Sequence, residues 1–240
     1  MFSVLFAAYI HDFNHPGLNT TYMASDWPSS GISSTFGTDS PLERHHLAQT
    51  FNLMRNADQY NFLINCSLIK LDYFRKIVTE CVMATDLAKS MPWISSARIV
   101  FKDRRTELNN PLSSTKDEKK EMEYKILLMQ LSIKCADVGH PSRLLEQHLE
   151  WSSRICEEFY CQGDKEKGKG MKISPLCDRN VSLSNYPQGQ IGFINFVSKP
   201  CFTLLNEVCL SVSEDEKPWL KYMKSNVEYW EERKKEVEFI

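Results

Sequence analysis

The sequence predicts an all-α fold, and three observations carry that expectation. Apolar residues recur at helical spacing through most of the 240 residues, and the strict alternation of a half-buried strand is scarce. The chain is 42% hydrophobic, enough for a substantial core without disulfide staples. It shows no internal repeat, linker or low-complexity tract, so residues 1–240 read as a single compact multi-helix domain.

Taken in order, the apolar run Phe2 to Ile10 reads as the tail of a buried helix spanning residues 2–12. It lacks the basic start and small-residue cleavage site of a secretory signal. No stretch approaches the roughly 18 apolar residues of a membrane-spanning helix. A stripe at Leu42, His46, Leu47, Phe51 and Met54 predicts the next long helix. Ile69 to Ala88 carries another through Tyr73, Ile77, Val78, Cys81 and Leu87. Between Tyr124 and Asp137, Leu127, Leu128, Leu131 and Cys135 form one face and Ile126, Met129 and Ile133 a second. That helix is expected to be buried nearly all round.

Ser142 is placed to N-cap a helix striped by Leu145, His148, Trp151, Ile155 and Phe159, and Gly163 to end it. Residues 188–208 read as a further apolar helix, with Pro200 predicting a kink. Ser213 to Glu216 open the last, carrying Trp219, Tyr222, Met223 and Trp230. Loops are expected at residues 23–41, 103–118 and 163–187. The last is long for structureless chain in a compact domain and reads as functional.

Charge narrows the function. Twenty-nine basic against 31 acidic residues give a net charge of −2, without the clustered basic excess of a nucleic-acid protein. Eight scattered cysteines, with no C-x-x-C pair, suit free thiols in a reducing cytosol, so a cytoplasmic location is expected.

Three sets of residues carry chemistry. His11 and Asp12 supply an imidazole and a carboxylate side by side, a donor pair for a divalent cation, although such a pair also ends helices without any metal. Asp137 closes the most apolar helix, where burial and the partial negative charge of a helix C-terminus both disfavour a carboxylate unless a cation is near. The other reading is a helix that surfaces before Pro141, leaving Asp137 in water. Glu43 and His46, at i, i+3, suit a carboxylate orienting an imidazole beside a metal, or an ordinary solvated pair.

Together these residues resemble a known family. His11-Asp-Phe-Asn-His-Pro-Gly17 resembles the H-D-x-x-H-P-G motif of class I cyclic-nucleotide phosphodiesterases, and Leu42-Glu-Arg-His-His46 their L-E-x-H-H. Ala84-Thr-Asp86 and Cys135-Ala-Asp137 match A-T-D and C-A-D. Ser174-Pro-Leu-Cys-Asp178 and Gln190-Ile-Gly-Phe193 resemble S-P-x-C-D and Q-x-G-F. The motifs follow the family's order from residue 5 to about 235. Gln162-Gly-Asp-Lys-Glu166 and the Ser-Pro-Leu-Cys-Asp-Arg run look closest to the calmodulin-stimulated branch.

The resemblance implies hydrolysis of 3′,5′-cyclic AMP or cyclic GMP to the 5′-monophosphate, ending a signal. It implies His11, Asp12 and Asp137 as ligands of two divalent ions, Zn²⁺ and Mg²⁺ or Mn²⁺, with Asp12 bridging and a hydroxide between the ions as nucleophile. His15, Glu43, His46 and Asp86 would orient those ligands. Gln190 would hydrogen-bond the purine, Phe193 stack on it, and His140 help select it, here toward both purines. Regulatory domains or a dimer partner would belong to a full-length parent.

Four departures stand out. The family's upstream H-N-x-x-H motif, with a metal ligand and the acid for the leaving O3′, has no counterpart, so the chain reads as the C-terminal three quarters of the domain without its N-terminal helices. Thr20 and Asn195 replace the Asn and Asp of many members, and the Cys177–Gln190 interval is long. Three readings follow: a fragment of a working phosphodiesterase, a short protein that binds nucleotide or a partner without efficient catalysis, and a related His-Asp hydrolase of another phosphoester. Gln190 and Phe193 count against the third, because a purine clamp needs a purine.

Overall fold

The computed structural model describes residues 1–26, 29–108, 117–209 and 217–238. All regular structure among them is helical. The elements are α1 (Phe2–Ile10), α2 (Thr20–Ser25), α3 (Gly31–Phe36), α4 (Pro41–Asn56), α5 (Leu68–Met83), α6 (Ser90–Leu108), α7 (Glu118–Asp137), α8 (Leu145–Gly168), α9 (Ser182–Phe193), α10 (Lys199–Val208) and α11 (Pro218–Glu238). Short 3₁₀ turns occupy Asp58–Tyr60, Leu87–Lys89 and His140–Ser142. The chain forms two compact units, one from Met1–His15 and Gly31–Lys134, the other from Pro16–Ser30 and Cys135–Ile240. None of the described helices is long and apolar enough to cross a membrane.

In the first unit α5 is the central element. Its inward residues Ile77, Val78, Cys81 and Val82 meet Ala7 and Ile10 of α1, Leu47 of α4 and Ile133 of α7. Each buried aliphatic side chain of this kind contributes about 1.5–3 kcal/mol. Tyr73 and Leu87, at the margins of the stripe read from the sequence, are about half exposed. The expectation of a buried helix at residues 2–12 holds for one face only. Ala7 and Ile10 are buried, whereas Phe2, Leu5 and Tyr9 are largely exposed, and the helix stops at Ile10. Residues 11–14 are turns, closed by Asn14 in the left-handed region at φ 62°.

The second unit is organised by α11, which packs on α9, α10, α8 and the His140–Ser142 turn. Met223 and Trp230 are its buried apolar anchors. Asn226 donates from Nδ2 to the carbonyls of Pro141 at 2.9 Å and Arg143 at 3.0 Å, tying the turn down. Between α9 and α10 the backbone makes a π turn at Ile194–Ser198. Pro200 lacks an N–H and its ring crowds the carbonyl four residues back, and the wider turn absorbs both. The expected kink is therefore a π turn.

Gly163 does not end α8, which runs through it to Gly168. A Cβ there would lie 1.9 Å from the Cys177 carbonyl oxygen, so this glycine lets a loop cross the helix at close range. The loop expected over 163–187 shrinks to residues 169–181, between α8 and α9. Ser142 is not an N-cap: its hydroxyl donates to the Gly139 carbonyl at 2.7 Å and Leu144 takes the cap position. Along α8, Leu145 and Trp151 are exposed while His148, Ser152, Gln162 and Glu166 are buried. The span expected as a loop at 23–41 contains α3, and α6 runs on to Leu108. Residues 109–116 and the Ser213–Glu216 opening lie outside the described residues.

Candidate active site

The end of α1 delivers His11 and Asp12 in a turn. His11 Nδ1–H donates to the Ala8 carbonyl at 2.8 Å, which puts the imidazole lone pair on Nε2, 3.5 Å from Asp12 Oδ2. From α4, His46 Nδ1–H donates to the Phe13 carbonyl at 2.8 Å, and its Nε2 lies 3.7 Å from Asp12 Oδ1. A carbonyl can only accept, so Nδ1 carries a proton in both rings, and in the neutral form Nε2 holds the lone pair. Two lone-pair nitrogens thus face the two oxygens of one carboxylate. Burial holds the His46 imidazole below its ordinary pKa, against the pull of the Phe13 hydrogen bond and Asp12.

His15 lies beyond the turn, its ring centroid 5.6 Å from that of His46. Asp86 ends the Ala-Thr-Asp run after α5. Its Oδ2 accepts from Ser40 Oγ–H at 2.6 Å and its Oδ1 from the Ala88 N–H at 2.9 Å. Buried Lys134 holds the same corner, donating to the Ala84 carbonyl at 2.6 Å and Ser90 Oγ at 2.7 Å. Glu43, one turn before His46, has its carboxyl pushed up to about 7, chiefly by burial and further by the negative charges of Asp86 and Asp12. The first unit therefore brings together His11, Asp12, His15, Glu43, His46 and Asp86. Three carboxyl groups beside two imidazoles have the donor chemistry of a divalent-cation site.

Asp137 belongs to the second unit, and its side chain is exposed. The helix surfaces there, with Ala136 also exposed, so the burial cost expected from the sequence does not arise.

The second unit holds a cavity lined by His140, Ile155, Cys156, Leu176, Gln190 and Phe193. His140 and Phe193 stack with centroids 5.2 Å apart and planes at 19°. Gln190 is buried. Its Nε2 donates to Cys156 Sγ at 3.7 Å, while its Oε1 has no hydrogen-bond partner among the described residues. Leu176 reaches the cavity from a left-handed backbone, φ 67°, a conformation that costs an ordinary residue about 1–2 kcal/mol.

Behind the cavity, three rings set each other's protons. Trp230 Nε1–H donates to His148 Nε2 at 2.7 Å, so neutral His148 carries its proton on Nδ1. That proton goes to His140 Nδ1 at 2.9 Å, which leaves His140 protonated on Nε2. Burial lowers both imidazoles to about 4, so the relay is neutral.

His148 and Trp230 were legible only as members of apolar stripes, and Ser40 and Leu176 carried no signal at all. Gln162 and Glu166, spaced i, i+4, were a cue of another sort. Two carboxylate or amide side chains that turn inward on a long helix need partners, and a polar pair on the apolar face is what marks them.

Residues 1–216 match the family described as 3′5′-cyclic nucleotide phosphodiesterase. Over 232 residues the chain is 32% identical to a probable 3′,5′-cyclic-AMP phosphodiesterase, pde-4, of Caenorhabditis elegans, an alignment spanning 96% of this chain and 32% of that protein. It is also 32% identical, over 87% of its length and 26% of the relative's, to the dual specificity calcium/calmodulin-dependent 3′,5′-cyclic nucleotide phosphodiesterase 1C of Homo sapiens. A solved structure of LmjPDEB1 in complex with IBMX superposes with a TM-score of 0.79 at 27% identity, covering 96% of this chain and 64% of that one. The chain thus spans about a third or less of these curated relatives.

Proposed function

The chain belongs to the 3′5′-cyclic nucleotide phosphodiesterase family, and on that premise we propose that it hydrolyses 3′,5′-cyclic AMP and cyclic GMP to their 5′-monophosphates with divalent metal ions. The observation that carries the reading is the arrangement around Asp12, whose two oxygens face the Nε2 lone pairs of His11 and His46. A cation or a proton between such acceptors draws them together.

In this reading His11 and Asp12 would hold the metal, Zn²⁺ with Mg²⁺ or Mn²⁺. Such ions neutralise the phosphate and lower the pKa of the water that attacks it. The Ala8 and Phe13 carbonyls keep His11 and His46 in the tautomers that offer Nε2. Ser40 and Lys134 steady the corner that bears Asp86. Glu43 and His15 complete the polar surround.

The base would lie against Phe193, with Gln190 Oε1 as its unmatched acceptor. Sulfur is a weak acceptor, so the Gln190 amide can turn over at small cost and present N–H instead. That freedom suits both adenine and guanine, and supports dual specificity over a single purine.

The test strips the purified protein with a chelator, restores Zn²⁺ and Mg²⁺, and follows both cyclic nucleotides. Turnover should depend on metal, and Asp12→Asn should lower metal affinity by more than about 100-fold, beyond the usual loss from an outer partner. Nucleotide binding without turnover at any metal concentration would favour the binding-only reading.

A further inference from the structure

Glu166 is 1% exposed on α8 and is one of the most deeply buried carboxylates described. Three donors converge on it. Its Oε2 accepts the Ser174 backbone N–H at 2.7 Å, and its Oε1 accepts Ser174 Oγ–H at 2.6 Å and Gln162 Nε2–H at 2.9 Å. Burial pushes this carboxyl's pKa upward, yet the bonds from Ser174 and Gln162 outweigh that and hold it below the ordinary value. The group is an anion, and it holds a loop.

The loop is the one that reaches the cavity. Ser174 starts a turn closed by the Cys177 N–H on its own carbonyl at 3.1 Å, and Leu176 lies inside that turn. At the far end Cys177 presses on α8 where only Gly163 permits it. Leu176 Cδ2 would be 3.4 Å from a Cβ placed on Gly189 of α9, so its side chain fills the space beside Gln190. A leucine in the left-handed region persists only where its neighbours hold the backbone on both sides. Glu166 supplies one side and the Gly163 crossing the other.

We propose that Glu166 is a positioning residue: by gripping Ser174 it keeps Leu176 in place as a wall of the base cavity, and so governs nucleotide affinity and not the chemical step. This inference rests on the cyclic-nucleotide reading above for its substrate.

The experiment compares Glu166→Gln, Ser174→Ala, Leu176→Ala and the Glu166→Gln/Leu176→Ala pair in the purified protein, with thermal unfolding as the folding control. Glu166→Gln should raise the KM for cyclic AMP and cyclic GMP about tenfold with kcat within about twofold, and Ser174→Ala should act the same way but less, since it removes one donor of three. Because Glu166 acts through Leu176, it should add less than about twofold to KM once Leu176 is gone. Independent, multiplying effects, or a fall in kcat at constant KM, would overturn the proposal. Hydrogen exchange at the Ser174 amide gives a readout free of any substrate and should accelerate at least about tenfold in Glu166→Gln. Unchanged protection there overturns the proposal, whereas a wild-type protein that turns over neither nucleotide overturns the functional reading instead.

Discussion

Trp230 and His148 share one hydrogen bond, indole N–H to Nε2 at 2.7 Å, and it sets the proton positions of two histidines. Replacing Trp230 with Phe keeps a ring but strands the His148 acceptor in the interior. The expected loss is about 1–3 kcal/mol of stability, the cost of an unmatched buried polar group. Denaturant titration measures it. Nitrogen chemical shifts of the imidazoles should show both rings losing their single tautomer.

Acid should unfold the second unit's core through the same pair. Burial lowers His140 and His148 from 6.5 to about 4. Between those values the unfolded chain takes up protons that the folded one refuses, so stability rises with pH across this window. It should therefore be lost as pH falls from about 6.5 to about 4. Unfolding midpoints at several pH values test this, and His148→Gln should flatten the slope.

The cavity should be separable from the metal chemistry. Gln190→Ala and Phe193→Ala are each expected to weaken cyclic-nucleotide binding by about 1–3 kcal/mol, a five- to 150-fold rise in KM. Metal content, measured on the same samples, should not change. Unaltered steady-state kinetics in both variants would place the base elsewhere.

Gly163→Ala tests the crossing of loop and helix. Its added Cβ would sit 1.9 Å from a backbone oxygen that cannot rotate away. The loop must shift, at a cost of about 1–3 kcal/mol or more. A variant as stable as the parent would mean that the contact at Cys177 is looser than described.

Part of the first unit's polar cluster is legible in the sequence. His11 with Asp12, and Glu43 with His46, announce themselves as lone-pair residues at local spacings, whereas Asp86 enters only through the Ala84-Thr-Asp86 resemblance. The histidine tautomers are not legible, since these depend on the Ala8 and Phe13 carbonyls, which every sequence possesses. Asp137 shows the converse: the apolar residues before it left burial and exposure both open, and the structure has it exposed at the helix end.

The sequence by itself determined the apolar stripes of the long helices α4, α5, α7 and α11 and the kinds of side chain available for chemistry, because amphipathic period and residue type are local properties. Ile77, Val78 and Cys81 had to face inward together, whatever packed on them. Only the tertiary structure decided that Gly163 lies within a helix under Cys177, that Glu166 grips Ser174, and that Trp230 fixes the protons of His148 and His140. Each of those pairs residues from different elements, and hydrogen bonds and steric contacts act over a few ångströms of space, regardless of their separation along the chain.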